Sequence, residues 1–112
     1  MNELESLLQL NKMLLAESPQ YLAQAAAFPP DAEAQWRLFR SLVNVRAPRL
    51  AGGDFLALQD SLLQKITACK GVTAFHSLTP MQKGLYLWRG DITILQTDGI
   101  VNAANSGLTG CY

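Results

Sequence analysis

The spacing of apolar residues changes about two-thirds of the way along this chain, and that change constrains the fold more than any other feature. From Glu3 to about Cys69, apolar residues recur at the intervals of an amphipathic helix. From Gly71 onward, β-branched and aromatic runs alternate with Gly, Pro, Asp and Asn, which is typical of short strands and turns. The sequence therefore predicts a helical part over residues 1–70 and a strand-containing part over residues 71–112.

Four helices are expected in the first part. A leucine-rich first helix ends at Ser18-Pro19, which also starts a short second helix reaching about Ala27. Asp31 is the predicted N-cap of a third helix, and the segment Ala51-Gly52-Gly53-Asp54 precedes a fourth. The apolar face predicted for the third helix consists of Trp36, Phe39 and Val43, with Leu38 and Leu42 beside it. None of these helices carries a cluster of metal-ligand residues, so a scaffold role is favoured.

The second part predicts short strands separated by turns. Val72-Thr73-Ala74-Phe75 is expected to form a strand, Thr79-Pro80 to cap one helical turn, and Leu85 to Trp88 to form a β-rich run. Ile100-Val101 is expected to be a second apolar strand, and it leads directly into the amide- and glycine-rich segment 102–107. Ligands of open α/β sheets bind outside the carboxyl ends of strands, so this segment is a candidate pocket.

Charge and hydropathy argue against two classes of partner. Nine Lys plus Arg balance nine Asp plus Glu, so the positive field that attracts nucleic acid or anionic membranes is missing. No apolar run approaches the ~20 residues that span a bilayer, and the acidic N-terminus differs from a signal peptide. We therefore expect a cytoplasmic protein that binds neither nucleic acid nor membrane. In that reducing compartment Cys69 is expected to be a buried free thiol.

The residue types around the predicted strand ends suit a nucleotide. Asp91 can accept a hydrogen bond from an exocyclic amine while the adjoining main-chain amide donates to a ring nitrogen. Asn102 and Asn105 each offer a donor and an acceptor for ribose hydroxyls, and nearby glycines allow close approach to a phosphate. The alternatives stay open: Asp91 can be a turn residue or helix cap, and both asparagines can simply form turns.

The combination of these motifs resembles one family. Residues 87–95, Leu-Trp-Arg-Gly-Asp-Ile-Thr-Ile-Leu, and residues 98–108, Asp-Gly-Ile-Val-Asn-Ala-Ala-Asn-Ser-Gly-Leu, closely resemble the opening of macrodomains, the ADP-ribose-binding α/β/α modules. The next residues, Thr109-Gly110-Cys111-Tyr112, depart from the glycine run of most macrodomains. They are similar to the zinc-containing, sirtuin-associated macrodomain ADP-ribose hydrolases, which also carry a helical N-terminal extension.

This resemblance implies a fold and roles for individual residues. The fold would be α/β, a helical N-terminal extension at 1–70 followed at 71–112 by the first strands of a macrodomain-like α/β/α sandwich. Asp91 and the main chain of Ile92 would hold adenine, and Asn102 would support the same strand end. Asn105 would contact the distal ribose beside the scissile bond and is the catalytic candidate. Cys111 would be the first zinc ligand.

The resemblance also implies that 112 residues hold only part of such a site. In the family a His and a second Cys complete the zinc site beyond the position of Cys111, and His76 is expected to be a surface or capping residue instead. The expectation is a truncated protein-ADP-ribose hydrolase, inactive alone, whose partners would be ADP-ribose or a mono-ADP-ribosylated protein. A lipoyl-carrier protein and a complementing C-terminal chain are further implied partners. The alternative is a helical interaction module with a vestigial, non-catalytic ADP-ribose-binding stub.

Overall fold

The chain folds as helices followed by two small sheets, which confirms the predicted α/β class. The computed structural model describes residues 1–108. The chain divides into two compact units, the first spanning residues 1–66 and the second beginning at Thr67. The assignment of these parts to a helical extension and to the start of a macrodomain stays a prediction.

The helices follow the predicted order, and their caps explain where they begin. They are α1 (Glu3–Glu17), α2 (Leu22–Ala25), α3 (Ala32–Val45) and α4 (Gly53–Lys70), with a 3-10 turn at Pro19–Tyr21 before α2. The Asn2 side chain accepts from the Glu5 amide at 2.8 Å, and the Glu5 carboxylate accepts from the Asn2 amide in return. Asp31 accepts from the Ala34 amide at 2.9 Å, which confirms it as the N-cap of α3.

The core of the first unit lies between α1 and α3, and α4 contributes to it. Leu7 and Leu10 are completely buried, and Leu62 of α4 is 2% exposed. The full set of buried apolar residues in this core is Leu7, Leu10, Leu14, Ala25, Leu38, Phe39, Leu42 and Leu62. One polar pair lies within it: the Asn11 amide nitrogen donates to the Gln35 carbonyl and side-chain oxygens, at 3.0 and 2.9 Å. These bonds fix α1 against α3 in one register.

The second unit contains four short strands in two sheets. The strands are β1 (Thr73–Ala74), β2 (Pro80–Gln82), β3 (Leu85–Tyr86) and β4 (Leu95–Gln96). β1 and β4 pair in parallel, whereas β2 and β3 form an antiparallel hairpin. The hairpin turns at Gly84, whose φ of +77° is readily adopted only by glycine. Parallel pairing of β1 with β4 sets the positions of the residues just before β4, which include Asp91.

Several local predictions in the second unit were wrong. Residues Ile100 and Val101 are in no strand and are 57% and 96% exposed, because an extended segment needs a paired neighbour to satisfy its backbone. Pro80 belongs to β2 and not to a helical turn, since proline is tolerated at the start of a strand. Of the β-rich run beginning at Leu85, only Leu85–Tyr86 forms a strand.

Two burial predictions also need correction. Cys69 is exposed, since burial along the described α4 is confined to Leu62. Val43 is 44% exposed, whereas its neighbour Leu42 takes the buried position on α3. The apolar face of α3 is therefore centred on Leu38, Phe39 and Leu42, with Trp36 partly buried at its edge.

None of the helices over residues 1–108 combines the length and the apolar character that a membrane span requires.

Hydrogen exchange is expected to separate the two units. Every residue from 67 to 108 retains partial or full exposure, and no strand there exceeds three residues, so little burial opposes local opening. Amides of α1 and α3 should exchange slowly, whereas most amides over residues 73–108 should exchange close to the rate of an unstructured chain. Mass spectrometry of the exchanged chain provides the measurement. Equal protection of residues 85–108 and of α1 would contradict this expectation.

Candidate functional site

Asp91 lies at the centre of the best-defined polar cluster in the second unit. It is the N-cap of a 3-10 turn, Ile92–Ile94, which leads into β4. Its Oδ1 atom accepts two hydrogen bonds from Thr93, one from the amide at 2.9 Å and one from the hydroxyl at 2.6 Å. The alternative role considered for Asp91, a helix cap, is therefore present in the structure, and it determines how the carboxylate is oriented.

The other carboxylate oxygen of Asp91 faces a lysine. Lys70, the last residue of α4, donates from Nζ to Asp91 Oδ2 at 3.3 Å. A cation is favoured at this position because the C-terminal end of a helix carries partial negative charge. Hydrogen bonds from the Thr93 hydroxyl and amide, followed by the bond and charge of Lys70, lower the pKa of Asp91 below its ordinary value. Asp91 is therefore an ionised acceptor at neutral pH.

The main chain of Ile92 is held beside this carboxylate. Its carbonyl accepts from the Leu95 amide, which closes the 3-10 turn. An amide in the first position of a helical turn has no partner inside that turn, so its geometry suits donation to an outside acceptor. The Ile92 side chain is 51% exposed. Asp91 and Ile92 thus present a carboxylate acceptor and a main-chain donor on consecutive residues.

Gly90 shows why the residue before Asp91 has no side chain. A Cβ atom at this position would collide with the six-membered ring of Trp88. Trp88 is partly buried, so its indole would have to move to accommodate any other residue. Glycine is therefore needed at position 90 because the Trp88 ring packs against the backbone there.

The two asparagines lie in an irregular, exposed segment after β4. The Asn102 carbonyl accepts from the Ala104 amide at 2.9 Å, and the Asn105 carbonyl accepts from the Leu108 amide at 3.1 Å. The second of these bonds closes a turn that ends at Leu108, whose φ is +55°. Turn formation, one of the two roles that the sequence allows for Asn105, is thus observed for its main chain. The proposed roles of both side chains toward ribose stay predictions.

The predicted zinc ligand, Cys111, lies outside the described residues. Within residues 1–108, no group of three or more His, Cys, Asp or Glu side chains is arranged to hold a metal ion. His76 lies exposed in a 3-10 turn, Phe75–Ser77, as expected for a surface histidine. Residues 1–108 therefore contain no complete set of zinc ligands.

Sequence reasoning missed two members of the Asp91 cluster. Thr93 had a local signal, because an aspartate followed two residues later by an amide donor is the pattern of an Asx turn. Lys70 had none, because it is 21 residues from Asp91 in sequence and meets it only through the fold. The structure thus adds two side chains that act on the predicted ligand-binding carboxylate.

Comparison with known proteins gives a consistent set of relatives, although no family model matches the chain. The whole chain is similar to a protein-ADP-ribose hydrolase of Treponema medium, 42% identical over 116 residues, and spans 44% of that protein's length. A protein-ADP-ribose hydrolase of Staphylococcus aureus strain COL is 40% identical over 84 residues, which cover 74% of this chain and 31% of that protein.

A fungal relative extends the comparison. A protein of Fusarium oxysporum f. sp. cubense, named as a probable bifunctional ADP-ribose hydrolase/ADP-ribosyltransferase, is 37% identical over 86 residues. Those residues make up 67% of this chain and 14% of that protein. The chain is thus similar to part of proteins with ADP-ribose hydrolase names, and it spans less than half the length of the two bacterial relatives.

Proposed function

We propose that this chain forms part of a macrodomain protein-ADP-ribose hydrolase and contributes its adenine-binding edge. The observation that carries the proposal is the similarity of the entire chain, at 42% identity, to a protein with that name. The Asp91 cluster supports it independently, because it offers the acceptor and donor pair that an adenine edge requires. In this proposal Asp91 accepts from the exocyclic amine, and the Ile92 amide donates to the neighbouring ring nitrogen.

The reaction proposed for the whole protein is hydrolysis of a mono-ADP-ribosyl group from a modified protein side chain. Water attacks the anomeric carbon of the distal ribose, the bond from that carbon to the side chain breaks, and the leaving side chain takes up a proton. Asn105 is proposed to contact this ribose beside the reacting carbon, and Asn102 to support it. An asparagine side chain offers both a donor and an acceptor, so it can hold a ribose hydroxyl in one orientation.

A zinc ion, the binding partners of the protein and its cellular location are further parts of the proposal. A zinc ion would need Cys111 and further ligands, all outside the described residues, and the roles proposed for Asn102 and Asn105 do not require it. A lipoyl-carrier protein is the proposed modified substrate, and a complementing C-terminal chain would supply the remaining walls of the pocket. The proposed location is the cytoplasm. The relatives described here are longer than this chain, so each of these statements concerns the whole protein.

A chimera tests the proposal directly. This chain should replace the aligned segment of the Treponema medium protein, and release of ADP-ribose from a mono-ADP-ribosylated protein should be measured by mass spectrometry. We expect the chimera to release ADP-ribose and the 112-residue chain alone to release none. The unaltered Treponema protein is the positive control. A folded chimera without activity would contradict the proposal and favour the interaction-module alternative.

A further inference from the structure

The two oxygens of the Asp91 carboxylate differ in how much hydrogen-bonding capacity they retain. A carboxylate has about four acceptor sites, two on each oxygen. The Thr93 amide and hydroxyl both donate to Oδ1, so that oxygen has no capacity left. Lys70 Nζ donates to Oδ2, which leaves one acceptor site on that oxygen. The Asp91 side chain is 42% exposed, so this last site can be reached from outside.

We propose that Thr93 and Lys70 are positioning residues that hold Asp91 so that its one remaining acceptor site selects a 6-aminopurine. This inference rests on the proposed function and deepens it. Thr93 fixes the carboxylate rotamer through two bonds to one oxygen, and Lys70 occupies the other oxygen from the end of α4. Neither residue touches the base.

The negative charge of Asp91 determines which purine base is preferred. A carboxylate that stays ionised is only an acceptor, so it pairs with an amine at position 6 of a purine and opposes a carbonyl there. The same Thr93 and Lys70 bonds that orient Asp91 also lower its pKa. Lys70 is the charged side chain that faces Asp91, and it comes from the end of α4. Binding of the amine should therefore be lost only as the pH falls through the lowered pKa.

The first test is Thr93→Val, which removes the hydroxyl but keeps the shape and the amide. In the chimera, the affinity for ADP-ribose should fall about three- to tenfold, because one hydrogen bond that orients the carboxylate is lost. Preference for ADP-ribose over its hypoxanthine analogue, inosine diphosphate ribose, should fall as well. Calorimetry with the two free nucleotides measures both quantities. Thr93→Ser should restore them, and Thr79→Val, at an exposed threonine elsewhere, should change neither.

The second test is Lys70→Met, with Lys83→Met in the hairpin turn as the matched control. An exposed ion pair contributes little, so the preference for the aminopurine should fall by a factor of about two to five. In both Thr93→Val and Lys70→Met, the pKa of Asp91 should rise toward its ordinary value. The acidic limit of ADP-ribose binding should then move to higher pH, which a purely structural role would not cause. Carbon-13 NMR titration of the chimera measures the Asp91 carboxyl directly.

The outcomes distinguish a failure of this inference from a failure of the proposed function. If the chimera binds ADP-ribose but both variants keep the same base preference and the same acidic limit, only the positioning inference is overturned. If the unaltered chimera binds no ADP-ribose, the proposed function and this inference both fail. A shift of the Asp91 pKa and lost base preference, both measured in the chimera variants, are the expected result.

Discussion

Asp91→Asn is expected to weaken ADP-ribose binding to the chimera at least about tenfold, because a hydrogen-bonding group left without its partner costs about 1–3 kcal/mol. Asparagine keeps an oxygen that can accept from Thr93, so the 3-10 turn at Ile92–Ile94 should survive. With that oxygen on Thr93, the amide nitrogen takes the place of Oδ2, and the exposed Lys70 ammonium loses its acceptor there. The amide nitrogen is a donor, and it would oppose the amine of adenine.

The same substitution should change which base is accepted. A donor at the position of Oδ2 complements the carbonyl of hypoxanthine, although hypoxanthine carries a hydrogen on the ring nitrogen that faces the Ile92 amide. Inosine diphosphate ribose should therefore lose less affinity than ADP-ribose, and the preference for adenine should fall. Calorimetry with both nucleotides gives the ratio. Asp98→Asn, which makes the same chemical change at an exposed residue outside the cluster, is the control and should leave the ratio unchanged. Equal losses for both nucleotides would argue against contact between Asp91 and the base.

Leu10→Ala is expected to lower the free energy of unfolding by about 2–5 kcal/mol, because it opens a cavity in a fully buried position between α1 and α3. A unit of this size is stabilised by only about 3–10 kcal/mol, so the variant should lose a large share of its stability and unfold at a clearly lower urea concentration. Circular dichroism during urea unfolding follows the helices directly.

Leu8→Ala is the matched control for this prediction. Leu8 is in the same helix as Leu10 but is 40% exposed, so its loss should cost under about 1 kcal/mol. If the two variants unfold at the same urea concentration, α1 does not pack against α3 through the face that contains Leu10. Retained stability in Leu10→Ala alone would contradict the assignment of the core.

The helical part could be predicted from the sequence because its signals are local. Helix periodicity, the Asp31 cap and the prolines around α2 each act within a few residues, and the structure confirms them. Which of Leu42 and Val43 is buried on α3 could not be predicted from the sequence. It depends on the direction from which α1 packs, and that direction is set by contacts between elements distant in sequence.

The candidate site was predictable only in part, for the same reason. The sequence pattern indicates Asp91 and Ile92 as ligand-binding candidates, a role that stays a prediction, and the Asx turn with Thr93 follows from local spacing. The ion pair with Lys70 requires the end of α4 to meet the start of a 3-10 turn, which no local pattern reports. At Ile100-Val101 a local signal gave a wrong prediction. Apolar β-branched residues favour a strand, but strand formation also needs a partner strand.

A crystal structure of the chimera with ADP-ribose tests the central claim most directly, because it shows where the adenine lies. The account predicts that the exocyclic amine lies about 3 Å from Asp91 Oδ2 and that the Ile92 amide donates to the adjacent ring nitrogen. A nucleotide bound elsewhere in the chimera, with Asp91 contacting only Thr93 and Lys70, would contradict it.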